Sequence, residues 1–243
     1  MLNKIYFSIL IYLFFPVLSA EEIPSRIGYA YDKTSKELIY TESHFERIEN
    51  GLIEYSQVIY KDPMDNIIAS KTADFTINPF MPEFSLINNK TGHKEETNYV
   101  QSEYKVVFTK SNNESPKNSL LELPQNGVSD AGFDNFIIEH WDQLISGDVL
   151  KREFLIPSIM DFINFRIYQD SLVDEAGKSL RVINIEPDNF LVRAFAGTTR
   201  LLYDSKEPKL KRFDGVSNMR DKNGNNYKVV IDYKDNQQVV SNQ

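Results

Sequence analysis

The chain has 243 residues, and 27 Lys and Arg against 35 Asp and Glu give it a net charge of −8. With 41% hydrophobic and 12% aromatic residues it carries enough apolar material for a sizeable core, which excludes disordered and low-complexity classes. The absence of Cys excludes disulfides, thiolate metal sites and Cys nucleophiles. The acidic balance argues against a nucleic-acid partner, which requires a concentrated positive face.

Lys4 is the sole charge in the first twenty residues, and Ile5 to Leu18 is an apolar run broken only by Ser8 and Pro16. The run falls short of the roughly 20 residues a membrane helix needs and has the form of a secretory h-region. Leu18-Ser19-Ala20 ahead of Glu21-Glu22 supplies the small residue of a cleavage site. Residues 1–20 are therefore expected to be a signal peptide cleaved near Ala20, and 21–243 a single β-rich domain in the periplasm or outside the cell. Retention as an N-terminal anchor is the alternative, kept open by Pro16 and Leu18. No later run has membrane-span length, so no transmembrane span is expected in the mature protein. Sequons at Asn89 and Asn113 do not identify the host.

Runs rich in Ile, Val, Tyr, Phe and Thr predict strands near 27–32, 37–48, 52–61, 66–77, 83–88, 93–99 and 102–110. Asn50-Gly51, the Pro63 turn and Asn89 to Gly92 connect them so tightly that neighbours must be antiparallel, making the first half a meander. Residues 111–127 hold two Pro and several Asn around Leu120-Leu121-Glu122-Leu123, and predict an exposed loop or lid with a short docking segment. The next segment predicts an amphipathic helix, capped by Ser129 or Asp130 and closed by Gly147, with Phe133, Phe136, Ile137, Trp141, Leu144 and Ile145 on one stripe. Strand rhythm resumes at Ile163, Phe165 and Ile167, turns at Asp174 to Gly177, and returns over Leu180 to Ile185. One or two strands are expected over 189–203 and a last one over 227–233, ahead of a frayed polar tail at 234–243.

These elements predict a mainly β fold: an antiparallel, strongly curved sheet or half-open β-barrel with the amphipathic helix packed on its concave face. A β-sandwich with the helix at one end is the other architecture, disfavoured because so bulky a stripe must be covered.

Chemistry-bearing motifs are sparse. His44, His93 and His140 lie in three separate elements without metal-ligand spacing, so no metal is expected. Gly215-Val216-Ser217-Asn218 lacks the second Gly of a nucleophile elbow, and no phosphate-cradling loop is present, so no cofactor is expected. The remaining candidate is a cavity between sheet and helix, lined by Phe133, Phe136, Trp141, Phe165, Phe195 and Tyr203, with Arg166 and Arg193 at its rim for a carboxylate or phosphate. Plain core for the aromatics and outward charge for the arginines is the alternative.

The stretches from Val128-Ser129-Asp130-Ala131-Gly132-Phe133-Asp134 through Ile185-Glu186-Pro187-Asp188-Asn189 to Arg212-Phe213-Asp214-Gly215-Val216-Ser217-Asn218 resemble uncharacterised secreted proteins of Gram-negative bacteria. The element order is similar to that of the lipoprotein-localisation carriers, whose open β-barrel holds a helical plug over a hydrophobic cavity. Export, the pattern of many strands with one helix and the lack of catalytic motifs together point to a non-enzymatic periplasmic binder or carrier of an apolar or amphipathic ligand such as a lipid. An envelope hydrolase using carboxylates that the sequence cannot pair, or a structural or assembly factor binding another envelope protein, remains the alternative.

Overall fold

The computed structural model describes residues 23–236. The expected signal peptide at 1–20 with its cleavage site, and residues 237–243 of the expected tail, lie outside the described residues. One sheet contains every described strand. Its first wing runs β1 (Arg26–Asp32), β2 (Leu38–Glu49), β3 (Leu52–Lys61), β4 (Ile67–Asp74), β5 (Glu83–Asn88), β6 (Lys94–Val100), β7 (Glu103–Thr109) and β8 (Lys117–Glu122). The second wing holds β9 (Gly127–Val128), β10 (Leu150–Ile156), β11 (Asp161–Glu175), β12 (Lys178–Pro187), β13 (Thr199–Asp204), β14 (Leu210–Arg220) and β15 (Asn226–Asp235). Each wing is a meander, and antiparallel pairing of β1 with β15 joins them at the centre, leaving β8 and β9 as the two edges. All pairs are antiparallel except β9 with β10.

Short turns enforce the meander. Asn50 and Gly51 both take positive φ, +52° and +83°, the geometry of a two-residue turn whose twist suits the flanking β2 and β3. The strand order bends the sheet on itself, because β8 and β9 stand at opposite edges yet are separated in sequence only by residues 123–126. Five peptide links reach about 17 Å at most, so the edges must approach one another. They are not hydrogen-bonded. Met81, Tyr104, Val106, Leu155, Leu121 and Phe162 pack across the gap, closing with side chains what the backbone leaves open. The architecture is thus the curved sheet expected, open along one seam.

Several segments differ from expectation: β10 and β14 lie outside the predicted strands, and β15 runs to Asp235, into the tail expected to fray from 234. The predicted loop at 111–127 carries β8 over the Leu120-Leu121 run. The predicted single helix is two short ones, α1 (Phe133–Glu139) and α2 (Trp141–Ile145), broken at His140. Neither Ser129 nor Asp130 caps α1, because the Asp130 carboxylate is engaged by Lys71 and Asn218; the helix starts instead after Gly132. A Cβ there would lie 2.0 Å from the Phe80 carbonyl oxygen, so only glycine permits this approach. Finally, the strand expected over 189–203 is preceded by α3 (Phe190–Ala196). Asn189 caps it by accepting from the Leu191 and Val192 N–H groups, and Gly197 at φ +77° ends it.

Helices α1 and α2 lie on the concave face. Phe136, Ile137, Trp141 and Leu144 pack against Ile167, Ile183, Ile185 and Leu201 of the second wing. A separate cluster joins Tyr40, Tyr60 and Leu86 of the first wing to Val229 and Ile231 of β15, and polar groups lie between the two clusters.

Candidate functional site

Strand β2 turns Tyr40, Glu42, His44 and Glu46 to the concave face, as its two-residue period requires. Four polar side chains on the buried face of a strand are costly unless each finds partners. His44 Nε2 donates to Glu42 Oε2 at 3.1 Å, and its Nδ1 lies 3.6 Å from Glu46 Oε1. Glu42 Oε2 also accepts from the Tyr233 hydroxyl at 3.2 Å, across Gly28, which stands opposite both residues in the sheet. A Cβ at Gly28 would lie 2.8 Å from Tyr233 Cε1, so the missing side chain is what lets the ring reach Glu42.

Helix α1 closes the site from above. Arg26 Nη2 bridges Glu46 Oε1 at 3.0 Å and Asp134 Oδ2 at 3.4 Å, while the Tyr203 hydroxyl donates to Asp134 Oδ1 at 2.7 Å. Burial pushes the Glu46 carboxyl up, but Arg26 and His44 outweigh it and hold the group well below the usual carboxylate range. For Arg26 burial pulls down and the Glu46 and Asp134 carboxylates more than compensate, so the guanidinium stays charged. Lys71 pairs with Asp130 at 2.7 Å, holding that carboxyl low against the upward push of burial. The Tyr40, Tyr60, Tyr203 and Tyr233 phenols are driven well above their ordinary value, first by burial and then chiefly by nearby carboxylates, and remain neutral.

All of these groups except Tyr40 and Tyr203 line a cavity of about 110 Å³. Beyond Phe133 lies a second cavity of about 140 Å³, walled by Phe154, Phe165, Ile185, Leu201 and Phe213. Asp130, Phe133, Phe213 and Val216 border both, so a polar and an apolar chamber meet at Phe133. On its outer side the polar chamber abuts an open groove, and Arg26, Glu46, Ile53 and Asp134 line both spaces. The Arg26 ion bridge therefore stands between chamber and groove.

No protein-family model and no curated protein matches this chain. Among solved structures it is similar to a β-barrel-like protein of domain of unknown function DUF1849 from Brucella abortus. The identity is 8% and the TM-score 0.49, over 89% of this chain and 100% of that one.

The residues singled out from the sequence fall into three places. Phe133 borders both chambers and Phe165 lines the apolar one. Phe136, Trp141 and Tyr203 are core, Trp141 lying 5.7 Å from Tyr203 between ring centroids. Arg166 and Arg193 converge on Glu186 Oε1, at 2.5 and 2.6 Å. Arg166 alternates with Phe165 and Ile167, which face the helices, so it projects from the other face of the sheet. The side chain of Phe195 lies outside those described. His140 donates its Nδ1–H to the Phe136 carbonyl, because Arg152, which can only donate, approaches its Nε2.

The sequence reading did not single out Arg26, Glu42, Glu46 or Tyr233. The available signal was Tyr40-x-Glu42-x-His44-x-Glu46, a polar alternation in a strand at the centre of the meander. Among the described residues no group of three or more His, Asp or Glu is arranged to hold a metal ion.

Proposed function

We propose that the protein is an exported, non-enzymatic binder or carrier of a small amphipathic ligand, held with its polar head among Glu42, His44 and Tyr233 and its apolar part beside Phe165. The contact of a polar and an apolar chamber at Phe133 carries this reading. Each chamber alone is smaller than the roughly 300–1,000 Å³ of common ligand sites, which favours a compact ligand spanning both. The element order resembling the lipoprotein-localisation carriers, with a helix over a cavity in an open barrel, supports the same reading. A carboxylate hydrolase is less favoured, since Glu46, Asp130 and Asp134 are each already paired with a basic side chain.

The test is native mass spectrometry of the mature protein purified from its own host, with solvent extraction, alongside Nile red binding by wild type and Phe165→Asp. A defined small amphiphile, or dye binding lost in the variant, is the expected result. A protein of bare mass that also takes up no dye would mean a filled interior, and would transfer the reading to a structural or assembly role.

A further inference from the structure

The polar chamber is unbalanced in charge. Four carboxylates, Glu42, Glu46, Asp130 and Asp134, face it against Arg26, Lys71 and the His44 imidazole. Both formal cations are already used, Arg26 by Glu46 and Asp134 and Lys71 by Asp130. Glu42 is the carboxylate left with no permanent cation: its Oε2 takes the His44 and Tyr233 protons, and its Oε1 has no hydrogen bond among the described residues.

A second, independent observation points into the same space. Tyr60 is 5% exposed and borders the chamber, yet its hydroxyl has no hydrogen-bond partner among the described residues. Buried hydroxyls are ordinarily bonded, so an open one facing a cavity marks a place for a ligand or water. Tyr60 is the direct cross-strand partner of Glu42, and both side chains line the chamber. The ring of Tyr60 adds a π-face that favours a cation over an anion, whereas the Tyr233 face is already taken by the Arg26 guanidinium, 5.0 Å from the ring centroid. An anionic head would meet four carboxylates and no uncommitted cation. Arg26 Nε also lacks a partner, but it is buried away from solvent and open to no ligand.

We propose that the polar chamber is a site for an organic ammonium group, bound between the Glu42 carboxylate and the Tyr60 hydroxyl, with the ligand's alkyl part passing Phe133 into the apolar chamber. The ligand is then a short-chain aliphatic amine or an amphiphile with an amine head. This assignment rests on the amphipathic-binder reading and deepens it. The phenol accepts one ammonium N–H and the carboxylate another, and charge-assisted bonds of this kind are about twice as strong as neutral ones.

Isothermal titration calorimetry at pH 7 with n-octylammonium, n-octanoate and n-octanol separates the possibilities. Octylammonium is expected to bind at least about tenfold more tightly than octanoate, to lose about tenfold or more with Glu42→Gln, and to lose less with Tyr60→Phe. Circular dichroism and the melting temperature of both variants verify folding. Equal binding of all three probes, tighter binding of octanoate, or octylammonium binding unchanged in both variants would overturn the ammonium assignment and leave the binder reading standing. Binding of none of the three would overturn both.

Discussion

The side chain of Asn135 hydrogen-bonds both backbone groups of Ile53: its Oδ1 accepts from the Ile53 N–H at 2.8 Å and its Nδ2 donates to the Ile53 carbonyl at 2.8 Å. Ile53 lies beyond the last residue of β3 that pairs with β4, so helix α1 supplies the partner the neighbouring strand does not. Asn135 is fully buried and the fit needs one donor and one acceptor. Asn135→Ala leaves two buried backbone groups unsatisfied and is expected to cost about 2–4 kcal/mol in denaturant unfolding. Asn135→Asp keeps the acceptor and loses the donor, and should be destabilised as well. A loss below about 0.5 kcal/mol in Asn135→Ala would mean that α1 is not anchored through this amide.

Gly28 makes a prediction of the opposite kind, an overfilled site. The methyl of Gly28→Ala would press on Tyr233, Ile231 and the Glu42 carboxylate, and its nearest contact, 2.8 Å, is closer than carbon atoms tolerate. The Tyr233 ring must move, breaking its bond to Glu42. Stability should fall by about 1–3 kcal/mol, and ligand affinity should fall with it. Differential scanning calorimetry together with amine titration measures both; an Ala variant with unchanged melting and affinity would show that the ring does not need the glycine.

Most strands, though not β10 or β14, were legible because a half-buried strand repeats every two residues and its turns carry Asn, Gly and Pro, as at Asn50-Gly51. The curved, helix-plugged architecture followed from the bulk of the Phe133 to Ile145 stripe. Helix α3 was hidden because Phe190-Leu191-Val192 reads as a strand on composition. What settles it is local, the Asn189 cap and the Gly197 stop. The polar site was missed for a deeper reason. A search for an inner face by apolar alternation passes over Glu42, His44 and Glu46, whose burial is tolerable only because Arg26, Tyr233 and Asp134 arrive from β1, β15 and α1. Those partners are distant in sequence, and no spacing rule joins them.

Acid should weaken the outer face of the second wing at a defined place. Burial pushes Glu186 up, but hydrogen bonds from Thr198, Arg193 and Arg166 outweigh it and bring the carboxyl from 4.5 to about 2. Because the folded value lies below the unfolded one, this stabilisation is complete above about pH 4.5 and is lost as pH falls through 2. Glu46, lowered through Arg26, adds a loss of the same sign. Glu186→Gln has no charge to lose, so its melting temperature should lie below that of the wild type at pH 7 and approach it between pH 4.5 and 2. A constant difference across that range would show that the two arginines contribute nothing through the carboxylate's charge.

The seam between β8 and β9 is the part of the curved sheet held by side chains alone, and Leu155 is its buried contact from the second wing. It packs with Met81, Tyr104 and Val106, residues that reach across from the first wing. Strand β8 pairs only with β7, so once the packing behind it is loosened a single hydrogen-bonded ladder holds it. Leu155→Ala is expected to cost about 2–5 kcal/mol, the range for a buried Leu truncation that leaves a cavity. The loss should also be uneven in space. Hydrogen exchange of the β8 amides, Lys117–Glu122, should accelerate under native conditions, while the central β1 and β15 amides exchange only through global unfolding and keep their ranking as the slowest. Uniform acceleration across all strands would mean that the seam opens only when the whole sheet does. Faster exchange confined to β8 would identify the seam as the place where the barrel parts first.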